Sequence, residues 1–293
     1  MSADESALLA AVAADPADDL PRLVYADWLD DHSHAVRAEF VRLQCRIAGL
    51  ADVPQWQRER SVHLWMRQQE LLDHHRAELV GDLADLPDNP VDVVWERGFL
   101  AEVTLSVDVF LDLADRLDAR VPPPRVTVAH VADRLDEFLG SALLGCVTGV
   151  SVLAPGAAAA DRLPLDARVG RVATTLGRLH RLATLDLGFC ELTDDDVPTL
   201  VPPGSFPALR ELDLSWNSLS DAGVVALLNT GLPRRLVRLA LTGNHLFDPA
   251  AYELADRLGR VVPFRTLDIR NVGFTNAGQL ALTSAFGSRC NLF

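Results

Sequence analysis

Lysine is missing from this chain: all 27 basic residues are arginine. That excludes Schiff-base chemistry, a phosphate-loop lysine and a lysine general base. Long apolar runs are missing too. The chain is 49% hydrophobic, yet no stretch reaches the roughly 18 apolar residues of a membrane span, so none is expected. Cysteine is scarce. Cys45, Cys146, Cys190 and Cys290 lie far apart with no C-x-x-C, which points to reduced thiols rather than a disulfide framework. No G-x-S-x-G, glycine-rich phosphate loop or H-E-x-x-H occurs. Positive charge is in deficit: the net charge is −14, which disfavours nucleic acid and anionic membranes as partners. The chain starts Met1-Ser2-Ala3-Asp4-Glu5, acidic where a secretion signal is basic, so a cytoplasmic location is expected.

What is present is a repeat. Leu182, Leu185, Leu187 and Leu192 recur as Leu209, Leu212, Leu214 and Leu219, then as Leu236, Leu239, Leu241 and Leu246, then as Phe264, Leu267, Ile269 and Phe274. The periods are 27, 27 and 28 residues. The ninth position holds Cys190, Asn217 and Asn244, and Val272 breaks the pattern in the last copy. The x-L-x-L core alternates with period two, as a strand with one buried face does. A ninth-position Asn can bond backbone groups of stacked copies, and Cys can do so weakly. Polar turns follow, such as Ser220-Asp221 and Thr275-Asn276, which read as helix starts. Asp194-Asp195-Asp196 lacks calcium-loop spacing and reads the same way. One repeat is therefore a strand plus a helix, and it must stack on copies to bury both faces.

The pattern L-x-x-L-x-L-x-x-N/C-x-L resembles the long leucine-rich repeats of the ribonuclease-inhibitor-like type. That resemblance implies an α/β solenoid, a horseshoe with parallel strands on the concave face and helices on the convex face. Degenerate copies are expected at Leu100-x-x-Val103-x-Leu105, at Arg125–Val128 and at Val147-x-x-Val150-x-Val152, with an inserted loop at 154–160. The array then has about seven strands, the first three degenerate.

The N-terminal part reads as helical over 2–14, 20–31, 37–47 and 56–84, ending at Leu86-Pro87-Asp88-Asn89-Pro90. The expected domains are an all-α domain over 1–90 that caps the array, and a repeat domain over 91–293. The run from Asp15-Pro16 through Arg22-Leu23-Val24-Tyr25-Ala26-Asp27-Trp28-Leu29-Asp30-Asp31, followed by Arg37-Ala38-Glu39-Phe40-Val41-Arg42-Leu43-Gln44, is similar to the repeat-companion domain found before repeat arrays in planctomycete bacteria. The resemblance covers about residues 5–47. It implies architecture and a bacterial source, and no reaction. Trp28 is expected in a core, with Asp27 bonded to backbone or to an arginine such as Arg42.

Candidate binding residues come from the outward strand positions. Asp186, Asp213 and Asp268 form one column, interrupted by Ala240, with Glu211, Arg238 and Arg270 beside it. Phe189 and Trp216 occupy equivalent positions one repeat apart. An aromatic pair beside charges has the composition of a protein-binding hot spot; both rings could instead pack on neighbouring turns. The reading is a non-enzymatic scaffold for an unidentified protein partner, with no cofactor and no metal. Two alternatives remain open at this stage. One is an enzyme centred on His32, His34 and Asp27; the other is a self-associating structural unit. His63, Asp73, His74 and His75 read as a solvated helix surface, because adjacent histidines on a helix point about 100° apart.

Overall fold

The computed structural model describes residues 2–50, 53–80, 92–118, 122–153, 164–165, 168–261 and 264–292. The boundary expected at 86–90 and the loop expected at 154–160 lie outside the described residues. The chain divides into two compact units. One comprises Met1–Leu105 with Asp112–Val126, the other Ser106–Leu111 with Thr127–Phe293.

The first unit opens with α1 (Ala3–Ala14), α2 (Leu20–Asp31) and α3 (Ala35–Ala48). The Ser2 hydroxyl accepts the Glu5 N–H at 3.1 Å, the N-cap that its sequence position predicts. Pro21 sits in the first turn of α2, where a missing N–H costs no helical bond. Leu9, Val12, Tyr25, Ala26, Leu29, Ala38 and Val41 form one apolar cluster. Leu9, Val12, Leu29 and Val41 each contribute about 1.5–3 kcal/mol when fully buried. The single helix expected over 56–84 is instead α4 (Gln55–Arg60) and α5 (Val62–Val80). Between them the Ser61 N–H turns back three residues to the Arg58 carbonyl at 2.9 Å, tighter than α-helical spacing. Within α5 the backbone leaves helical geometry at His75 (φ −127°, ψ 23°).

This unit is not all-helical. Strands β1 (Asp92–Glu96) and β2 (Phe99–Ser106) pair antiparallel through the two-residue turn Arg97-Gly98. Both turn residues have positive φ, 51° and 84°, as a tight hairpin turn requires. The hairpin belongs with the helices because its aromatics complete their cores. Phe99 joins the Tyr25–Val41 cluster, and Trp95 meets Phe40 edge-on at 5.1 Å. Leu100, Val103 and Leu105, whose spacing reads as a strand, lie on β2 and are all buried.

The second unit contains most of β3 (Arg125–Ala129), then β4 (Val147–Ser151), β5 (Thr184–Asp186), β6 (Glu211–Asp213), β7 (Arg238–Ala240), β8 (Thr266–Asp268) and β9 (Cys290–Asn291). These strands lie side by side in chain order, and β4 to β9 pair in parallel. Val150, Leu185, Leu212, Leu239 and Leu267 stand in one register, all buried. The sheet is open, ending at β9. Helices α6 (Val107–Asp118), α7 (Leu135–Gly140), α8 (Val169–Leu176), α9 (Val197–Leu200), α10 (Asp221–Asn229), α11 (Asp248–Leu258) and α12 (Asn276–Phe286) alternate with the strands from β2 to β9. Helix α9 is a single turn. Pro202 and Pro203 follow it, and the residue before a proline avoids the helical region, so Val201 leaves at φ −121°, ψ 68°.

Two hydrogen-bond ladders hold copy to copy. Asn217 donates to the Leu187 and Leu214 carbonyls at 2.9 and 3.0 Å and accepts the Cys190 and Leu192 N–H groups at 3.1 and 2.9 Å. Asn244 repeats this one copy later on Leu214, Leu241 and Leu219. The second ladder uses the first acid of each helical segment. Asp194 takes the N–H and hydroxyl of Ser220, Asp221 takes the Phe247 N–H, and Asp248 takes the N–H and hydroxyl of Thr275. Gly223 and Gly278 are required beside these acids, since a Cβ would lie 2.1 Å from Asp194 Oδ1 and 2.3 Å from Asp248 Oδ1. The acidic runs that open the helices are therefore structural.

Candidate functional site

Strand alternation turns Leu185, Leu212, Leu239 and Leu267 inward, so their neighbours face out. Asp186, Asp213, Ala240 and Asp268 stand in consecutive register, next to a column of Thr184, Glu211, Arg238 and Thr266. Strand spacing separates successive members by about 4.8 Å. The expected column exists, but its three aspartates are not equivalent.

Asp186 and Asp213 each fold back on their own chain. Asp186 Oδ1 accepts the Gly188 N–H at 2.9 Å, and Asp213 Oδ1 accepts the Ser215 N–H at 2.8 Å. An aspartate bonding the backbone two residues on is a turn-forming contact. Asp186 Oδ2 also accepts the Ser151 hydroxyl at 3.0 Å. Asp268 differs: it is buried and forms ion pairs with Arg270 Nε at 3.0 Å and Arg238 Nη2 at 3.5 Å. Arg238 and Arg270, expected beside the column as binding residues, both pair with Asp268. Among the described residues, no basic side chain pairs with Asp186, Glu211 or Asp213.

Burial pushes the Asp186 carboxyl above its ordinary range. The Gly188 N–H opposes this, Asp213 repulsion adds to it, and the Ser151 hydroxyl and Arg238 oppose it. An acid whose folded value is raised destabilises the fold when ionised. Stability should fall as pH rises from the unfolded value through the folded one, with the whole penalty present above both. Asp186→Asn should therefore raise the urea midpoint at neutral pH, and this advantage should vanish below the carboxylate range. A midpoint lowered at neutral pH would show that the Asp186 contacts outweigh its burial.

The aromatic pair sits where the backbone turns out of the strand. Phe189, Trp216, Gly243 and Asn271 occupy the same repeat position, and all have positive φ, 57°, 57°, 70° and 52°. The conformation is held by Phe189 N–H to Ser215 O at 3.0 Å, Trp216 N–H to Thr242 O at 2.7 Å and Gly243 N–H to Arg270 O at 2.9 Å. Large aromatic residues in this region cost roughly 1–3 kcal/mol each, so their presence points to a use for the rings. The rings stack with centroids 5.6 Å apart and planes 10° apart. Trp216 also lies on Gly243, where a Cβ would approach its Cε3 to 2.5 Å. Packing on neighbouring turns and exposure coexist: Trp216 remains 38% exposed and Phe189 half-buried. Gly243 and Ser151 escaped the sequence reading. The small residue in the aromatic column signalled the first; nothing in the repeat spacing signalled the second.

In the helical unit, Asp27 and Asp30 each bind Arg42 at 2.6 Å, as expected for Asp27. Trp28 is half-buried and stacks on Tyr25 at 5.9 Å and on His32 at 4.0 Å. His32 Nδ1 lies 2.7 Å from the Trp28 carbonyl, and His34 precedes α3 as its capping residue. His32 is thus engaged by the Trp28 carbonyl and ring, and Asp27 by Arg42. Among the described residues, no three His, Cys, Asp or Glu side chains are grouped to hold a metal ion, and no helix is long and apolar enough to cross a membrane.

A leucine-rich repeat family model matches residues 207–228, the segment that carries β6, Trp216, Asn217 and most of α10. No curated protein matches the chain.

Proposed function

We propose that this protein is a non-enzymatic scaffold for protein–protein interaction, its leucine-rich repeats stacked as an open solenoid whose strand face receives the partner. The observation that carries this reading is the Phe189–Trp216 stack. It is held in strained backbone, left partly exposed, and set beside Asp186, Glu211 and Asp213. A rigid aromatic anchor loses little entropy on binding, and flanking carboxylates select for charge. The reading extends to the helical block as a repeat-companion-like element of a bacterial cytoplasmic protein; its supports are the sequence resemblance and the buried cysteines Cys45, Cys146 and Cys190, which form no disulfide.

The test is affinity capture with the full chain and with Trp216→Ala as baits. The Ala variant should lose a specific partner, with about 2 kcal/mol or more of binding energy removed, while its unfolding midpoint stays near that of the parent. Identical captured proteins on both baits would refute the scaffold reading of this face.

A further inference from the structure

The column of aspartates contains its own template for a ligand. Asp268 holds a guanidinium from Arg270, two residues further along its own chain, at 3.0 Å. At that offset from Asp186 and Asp213 stand Gly188 and Ser215, which carry no cation and meet the carboxylates through their N–H groups. Ser151 occupies the second oxygen of Asp186, but among the described residues no hydrogen bond or ion pair engages the second oxygen of Asp213. Glu211 flanks it on the same strand, one inward residue away, and among the described residues forms no ion pair, its register neighbour Arg238 being paired with Asp268. Three residues beyond Asp213, the rim of Trp216 is exposed. With a net charge of −14 the chain as a whole attracts cations.

We infer that Asp213, Glu211 and Trp216 form a receptor for an arginine side chain of a basic protein partner, Asp213 binding its guanidinium as Asp268 binds that of Arg270. This deepens the scaffold reading and rests on it. The guanidinium matches a carboxylate in plane and can bond both of its oxygens. The methylene stem of the arginine lies along the exposed indole rim, which buries apolar surface while the charge reaches the acids.

The probe is a fluorescein-labelled Ala-Arg-Ala-Arg-Ala peptide and its citrulline counterpart, which keeps the shape and loses the charge. Titrated against the full chain by anisotropy, the arginine peptide should bind at least about tenfold more tightly, the scale of a charge-assisted contact. Glu211→Gln/Asp213→Asn should erase that preference. Asn at 213 still accepts the Ser215 N–H, so the unfolding midpoint should hold. Asp133→Asn/Asp195→Asn removes the same charge from exposed sites and should leave the preference intact. Equal binding of the two peptides, binding of neither, or equal weakening by both double variants would overturn the inference. If that happens while Trp216→Ala still loses its captured partner, the scaffold stands and only the arginine receptor falls. If Trp216→Ala loses nothing, the scaffold falls as well.

Discussion

Asn217→Ala is expected to destabilise the repeat unit by about 3 kcal/mol or more, read as a lower urea midpoint. The reason is accounting of backbone groups. The Asn217 side chain satisfies the N–H groups of Cys190 and Leu192 and the carbonyls of Leu187 and Leu214, all in a buried environment. Alanine leaves the two N–H groups and the Leu187 carbonyl without these bonds, while the Leu214 carbonyl keeps that of Asn244, and an unmet buried polar group costs about 1–3 kcal/mol. Asn217 also joins two copies, and a repeat array draws its stability from such neighbour contacts. Cys190→Ala provides the contrast. Its thiol makes one weak contact to the Gly188 carbonyl at 3.4 Å, so about 1 kcal/mol is expected. Similar losses for the two substitutions would refute the ladder account.

Gly98→Ala should destabilise the first unit by a comparable amount, about 3 kcal/mol, through two effects of the same sign. The residue has φ +84°, where a side chain costs about 1–2 kcal/mol. The new Cβ would also lie 2.5 Å from the Val41 Cα and 2.6 Å from its Cγ2. Val41 is fully buried in the helical core, so backbone must move, and overpacking of this kind costs about 1–3 kcal/mol. Gly204→Ala separates the two effects. Gly204 has φ +82° but nothing within 4 Å of a Cβ, so only the backbone cost should appear. Thermal or urea unfolding of both variants checks this. A Gly98→Ala loss no larger than that of Gly204→Ala would mean that the hairpin turn is not pressed against α3.

The sequence carried the repeat because its period is physical. Leucines at offsets one, four, six and eleven can be buried together only if copies stack in register, and Leu185, Leu212, Leu239 and Leu267 do so. The Asn ladder was legible for the same reason: an Asn at one fixed place in a repeat has stacked backbone groups to bond. The helix starts at Ser220 and Thr275 and the cap at Ser2 are local, within three residues, and needed no tertiary information. The equivalence of Phe189 and Trp216 was also written in the period.

Tertiary structure decided the rest, because it depends on which groups meet at long separation. The spacing of Leu100, Val103 and Leu105 reads as a strand, and β2 is one, but nothing in that spacing shows that Phe99 and Trp95 bury themselves among Tyr25, Val41 and Phe40. Arg238 reads as a binding residue beside an acidic column until its ion pair with Asp268, 30 residues away, is seen. Offsets reveal a column of carboxylates, and only the fold reveals which of them are already neutralised. The sequence by itself determined the repeating unit, its buried face and its ladder, since each follows from short-range spacing and a period. The folded chain decided which outward acids are ion-paired, because pairing depends on distance in space: Asp268 has two arginines, while among the described residues Asp213 and Glu211 have none.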